Sequence, residues 1–359
     1  MNARWGIGGM LLILALGAAG RLQGMIFYDT SDPAYHTNAP SGTWAGSGWQ
    51  YEGQWGGFLG TPIASNLFLT AKHVGGTVGA AFHFQGASYP AIDSFTDPES
   101  DLAIWKVHGI LPLFAPLYST SDEVGKSLVV FGRGASRGDA LILTNQAGPV
   151  LKGWLWGTDD GLMRWGANVV DAVVDGGVGF GPLLEATFDP STAPDVPCLA
   201  GGDSGGAVFM QEGPTWALAG INYAVTGPYN TTNSGPGFEA AIFDGRGLYL
   251  GGEGNWQPIP NGPVAEPGAS YATRVSAHLA WITNIIATQS TTVVLPVLQT
   301  ANEPAGPYAD APAASVDPVA QTVTFPAPVS NQFYRLRYWR ALRLVRLTPG
   351  PTGFQLQYQ

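Results

Sequence analysis

The chain has a single cysteine, Cys198, among 359 residues. One cysteine makes no intrachain disulfide, so the fold must hold without one, and a multi-cysteine zinc site is excluded. Charge is also scarce. Charged residues are 12% of the chain, with a formal net charge of −10. Such a chain does not suit nucleic acid or an anionic membrane surface as a partner. Long amphipathic helices need more charge than this on their wet faces. Long apolar runs are missing too. The segment from Trp5 to Ala19 is the clearest candidate, and it falls short of the roughly 18–20 residues that span a bilayer. With Arg4 ahead of it and small residues behind, residues 1–24 read as an export signal, cleaved after Gly20 or Gly24. A short membrane anchor is the competing reading. Once the signal is removed, no membrane span is expected.

Glycine (50) and proline (28) are abundant, and 45% of the residues are hydrophobic. Between about Met25 and Ala287, short apolar runs alternate with turn residues. The spacing predicts strands at Pro62–Leu69, Ala103–Val107, Ser127–Phe131, Ala140–Leu143, Leu183–Phe188, Ala207–Met210 and Trp216–Asn222, and so an all-β sandwich or barrel. Val275, Leu279, Ile282 and Ile286 recur at helical spacing and predict one terminal helix. Residues 291–318, rich in Pro and Ala, are expected to be a linker. Thr322–Phe325 and Gln332–Leu347 then predict a small β-rich module over 319–359.

Three short segments carry chemistry. Gly202-Asp203-Ser204-Gly205-Gly206 places a hydroxyl in a glycine-rich turn, where backbone N–H groups can face a developing oxyanion. Leu69-Thr70-Ala71-Lys72-His73-Val74 puts a histidine just past the end of a strand, on a rigid support for a base. Ser100-Asp101-Leu102-Ala103-Ile104-Trp105 opens an apolar strand with a carboxylate that can fix an imidazole tautomer. His36, His83, His108 and His278 lack metal-ligand spacing and are read as structural, so no metal or other cofactor is expected.

These segments, in the order His, Asp, Ser, resemble the motifs of trypsin-like (chymotrypsin-fold) serine proteases. Ala219-Gly220-Ile221 resembles the strand after the nucleophile. Ser270–Val275 and Leu279–Ile282 resemble the last strand and terminal helix. The resemblance covers roughly Gly57 to Ala287. It implies two six-stranded antiparallel β-barrels with the site between them, in a peptidase domain over 25–290. It implies Ser204 as nucleophile, His73 as general base and acid, Asp101 as orienting carboxylate, and the Gly202 and Ser204 N–H groups as oxyanion hole. It implies a substrate pocket at Cys198, six residues before the nucleophile, with Tyr223 and Val225 on the following strand. It implies an endopeptidase acting on protein or peptide substrates, and the signal segment with the lack of disulfides points to a secreted or cell-envelope protein of bacterial type.

Departures from the family accompany the match. Val74 stands where a disulfide cysteine often does. No usual activation site precedes the first strand, so Asp203, which pairs with a freed amine in the family, needs a signal-processed amine, an internal Arg or backbone donors. A glycine-rich insertion fills the region between Ala224 and Ser270. Two other readings stay open. Gly202-x-Ser204-x-Gly206 also fits an α/β-hydrolase elbow, although that fold requires a histidine after the serine, and only His278 follows. The same fold can also serve as a catalytically silent binding or scaffold protein. Arg335, Arg337, Arg340, Arg343 and Arg346 make the C-terminal module either a surface-attachment element or a solvated hairpin face.

Overall fold

The computed structural model describes residues 25–358, apart from 159, 193–194, 291–295, 312, 318–319, 328–331, 338–341 and 351–352. The expected signal segment and Arg340 lie outside the described residues. Among the described residues the chain is mostly β, with one closed barrel and one α-helix after it.

The closed barrel runs in the order Gly53–Trp55, Phe58–Ala64, Leu67–Ala71, Leu102–Val107, Ala87–Thr96, Ala81–Phe84. The single strand expected at Pro62–Leu69 is two strands, reversed at Ser65–Asn66. Both are buried on both faces, which erases the alternation that marks a half-exposed strand. The barrel interior is aromatic. Phe68 and Phe82 stack at 4.0 Å, and Trp55 lies 4.8 Å from Trp105.

The second half is a seven-stranded antiparallel sheet. Its order is Arg164–Val169, Ser127–Gly132, Ala207–Glu212, Thr215–Val225, Ala269–Arg274, Pro182–Thr187, Ala172–Asp175. The expected second closed barrel is therefore corrected to an open sheet. The reason lies in strand Pro182–Thr187. One of its edges pairs with Ala269–Arg274 and the other with Ala172–Asp175. No backbone edge is left for Arg164–Val169, and side chains bridge that seam instead. Asn168 Nδ2 donates to the Thr187 carbonyl at 2.9 Å, and Asp171 accepts from the Thr187 N–H and hydroxyl.

A long hairpin, Arg137–Asn145 with Gly148–Trp156, extends from this half. The insertion packs on it through Ala240–Ile242. A buried Lys152–Asp244 pair at 3.0 Å fastens the two. The terminal helix Leu279–Gln289 follows a 3₁₀ turn, Val275–His278. Val275 and Ile282 are fully buried, as the apolar stripe predicts. An antiparallel β architecture with one terminal helix removes the α/β-hydrolase reading.

The expected linker is also corrected. Val297–Ala301 is a strand between Ala309–Asp310 and Phe333–Arg337, and Ser315–Asp317 pairs with Thr322–Pro326. Leu298 sits with Val323, Phe325, Leu356 and Tyr358 in a small core. The Pro/Ala-rich composition hides these pieces because each is only two to five residues long.

Candidate active site

The register of one ladder assembles half the site. In the antiparallel pair Leu67–Ala71 and Leu102–Val107, Ala71 stands opposite Leu102. His73 comes just after the first strand and Asp101 just before the second. The ladder is extended by Lys72 N–H donating to the Asp101 carbonyl at 2.7 Å. Asp101, 2% exposed, then holds His73 twice. Its Oδ1 accepts the His73 backbone N–H at 3.1 Å, and its Oδ2 lies 2.5 Å from His73 Nδ1. A carboxylate on Nδ1 directs the lone pair of Nε2 outward. His73 Nε2 lies 2.8 Å from Ser204 Oγ. The three residues expected to act together are thus in one hydrogen-bonded line.

The turn carrying Ser204 is wedged between the two halves. Gly205 has φ +78°, and a Cβ there would meet Thr70 Oγ1 at 2.3 Å and the Leu59 carbonyl at 2.7 Å. Only glycine tolerates both the conformation and the close approach. Gly202 also has positive φ, +99°. Among the described residues, the N–H groups of Gly202 and Ser204 donate to no protein group, while Asp203 N–H, Gly205 N–H and Gly206 N–H are all engaged.

Asn222, which the sequence does not single out, locks this turn. Its Nδ2 donates to the carbonyls of Phe131 at 2.7 Å and Asp203 at 3.0 Å. Its backbone N–H donates to the Gly206 carbonyl, and its carbonyl accepts from Gly205 N–H. A mid-strand asparagine in an apolar run was the available signal.

Asp203 is 1% exposed and answers the question of its partner with backbone donors. Its carboxylate accepts from Gly134 N–H at 2.6 Å and Ala200 N–H at 2.7 Å, and also from the Met25 backbone. Burial pushes its pKa up to about 7, and the three N–H groups oppose that rise.

The expected pocket residues are spread out. Cys198 is 3% exposed and sits among Ile26, Trp154, Phe188, Val196 and Ala241. Burial raises its thiol to about 12. Tyr223 lies instead beside His73, its ring edge-on to His73 at 5.9 Å and tilted against Phe180 at 5.3 Å. Burial, then the nearby Asp101 charge, raises its phenol. Val225 is half-buried at the end of its strand, opposite Ser270. Asp244 in the insertion is bound by Lys152 and Arg246, which together hold its carboxyl down at about 2. Its charge is therefore already compensated. Among the described residues no cluster of three or more His, Cys, Asp or Glu is placed to hold a metal ion, and no helix is long and apolar enough to cross a membrane.

A mostly β chain with one closed six-stranded barrel is compatible with a chymotrypsin-like fold. No model of a known protein family matches the chain, and no curated protein matches it.

Proposed function

We propose that this chain is a secreted serine endopeptidase that cleaves peptide bonds through an acyl-enzyme on Ser204. The observation that carries the reading is the line Asp101–His73–Ser204, with hydrogen-bond distances of 2.5 and 2.8 Å. The chemistry follows from it. His73 Nε2 takes the Ser204 proton as Oγ attacks the carbonyl carbon. The oxygen then carries the negative charge and is met by the N–H groups of Gly202 and Ser204. His73 returns the proton to the leaving amine, and water repeats the cycle on the ester. Asp101 holds the imidazolium through its hydrogen bond to Nδ1. A silent scaffold needs neither an aligned imidazole nor two unengaged N–H groups beside the hydroxyl.

The test is pre-steady-state hydrolysis of a chromogenic ester by purified chain. A burst of product equal to the enzyme concentration, followed by slower turnover, supports the acyl-enzyme. Linear product formation that Ser204→Ala leaves unchanged refutes it.

A further inference from the structure

A second Asp–His pair is buried under the loop that carries Asp101. His278 closes the turn ahead of the terminal helix, and its Nδ1 lies 2.8 Å from Asp97 Oδ2. His278 is 7% exposed and Asp97 3%. Asp97 organises the 97–101 loop around itself. Its Oδ2 also accepts from Ser100 Oγ at 2.6 Å, and its Oδ1 from Glu99 N–H at 3.1 Å. Its own N–H donates to the Leu102 carbonyl at 3.0 Å. Lys72, next to His73, pins the loop from the other side. Its Nζ donates to the carbonyls of Asp97, at 3.1 Å, and Ser100.

The same imidazole lies close to a second route to the site. A Cβ on Gly181 would lie 3.0 Å from His278 Nε2 and 3.0 Å from the Glu99 carbonyl. The neighbouring Phe180 packs on Tyr223, and Tyr223 on His73. His278 therefore lies between the 97–101 loop and the segment whose Phe180 leads through Tyr223 to the catalytic imidazole. Its Nε2 is buried without a hydrogen-bond partner among the described residues. A pair buried at that cost is a poor device for stability alone, since apolar replacements of similar volume often do as well. What such a pair supplies is a fixed geometry.

We propose that Asp97 and His278 are positioning residues for the triad, holding the 97–101 loop so that Asp101 Oδ2 stays within reach of His73 Nδ1. The proposal rests on the peptidase reading above. Neither residue touches the reacting atoms. Their effect is on placement, where a displacement of about 1 Å costs on the order of 100-fold in rate.

The experiment compares His278→Phe, Asp97→Asn and His278→Asn in the full chain. The asparagine at 278 keeps a donor near the position of Nδ1 and is the conservative rescue. Two readouts are taken: kcat and KM on a peptide ester, and the downfield proton resonance of His73 Nδ1–H, which needs no turnover. His278→Phe is expected to lower kcat by about 10–100-fold with KM little changed, and to shift or broaden that resonance. His278→Asn should recover most of kcat and the resonance. A folded His278→Phe chain with wild-type kcat and an unmoved resonance overturns the proposal, as does a change in KM alone. Should His278→Phe not fold, Asp97→Asn carries the same readouts, and wild-type values for it are equally decisive. A wild-type chain that hydrolyses nothing sinks the peptidase reading instead, and the resonance then still decides whether the pair positions Asp101.

Discussion

Ala71 stands directly opposite Leu102, and this single register sets the distance between His73 and Asp101. A one-residue slip would turn every side chain of the strand to the other face. Thr70, Ala71, Leu102 and Ala103 are all buried, so the slip is strongly opposed. The site is thus anchored by the barrel core, and Asp101 needs no flexible reach to meet His73.

Asp203 carries the first prediction. A chain cleaved after Gly24 begins at Met25, whose backbone nitrogen already serves the Asp203 carboxylate. That nitrogen then becomes an α-ammonium, and a charge replaces a neutral donor. Intact mass of the active enzyme should give Met25 as the first residue, with no second, internal cleavage. An active form that starts downstream of Met25, with the Met25 form inert, contradicts this.

Glu52 predicts a pH effect on stability. It is 9% exposed, and its carboxyl is met by the Thr61 hydroxyl, 3.1 Å from Oε1, and by the Ala207 backbone. Burial pushes its carboxyl from the ordinary 4.5 up to about 8. Between those values the folded chain holds a proton that the unfolded chain has lost. Its stabilising contribution is complete below the ordinary value and is lost as pH rises through about 8. Glu52→Gln should flatten this slope and raise Tm at alkaline pH by on the order of 5 °C. Parallel Tm–pH curves for the two proteins, measured by calorimetry, would show that Glu52 does not titrate in this way.

The C-terminal module should be separable, at a boundary earlier than composition suggests. Leu298 is 1% exposed and belongs to the module core. A chain ending at Ser290 is expected to fold and keep its hydrolytic activity. One ending at Thr300 keeps a strand stripped of its partners, which leaves apolar surface exposed, and should be less soluble. Activity lost only in the Ser290 form contradicts the boundary.

What the sequence made legible follows from where each signal resides. The three segments of the candidate site are local, and each carries its own strand-end or glycine-turn pattern. The terminal helix announced itself through Val275, Leu279, Ile282 and Ile286. Asn222 and Asp97 were not legible, because their roles come from partners far along the chain, such as Phe131 and His278. His278 read as an ordinary structural histidine for the same reason. The open second sheet was hidden because closure depends on which strand captures the free edge of Pro182–Thr187, and edge competition leaves no mark in composition.

If Cys198, packed in the core beside Ile26 and Trp154, still floors a substrate pocket, it should set cleavage specificity. Its thiol stays neutral at ordinary pH, since burial raises it to about 12. A substrate Lys or Arg placed against it would lack a counter-charge, at a cost of several kcal/mol. Cleavage after small or medium uncharged residues is expected on a mixed peptide library. Dominant cleavage after Lys or Arg refutes the pocket assignment, and a Cys198→Asp variant that gains such cleavage supports it.

The central claim is that Ser204 is a nucleophile activated by His73. Ser204→Ala and His73→Ala should each lower kcat by about 10⁴–10⁶-fold, because the three residues act as a unit, and Asp101→Asn should be somewhat milder. The most direct measurement is covalent labelling with a fluorophosphonate, read by peptide mass spectrometry. The account predicts one adduct per chain, on Ser204, abolished by Ser204→Ala and strongly slowed by His73→Ala. A folded wild-type chain that takes up no label, or takes it up on another residue, contradicts it.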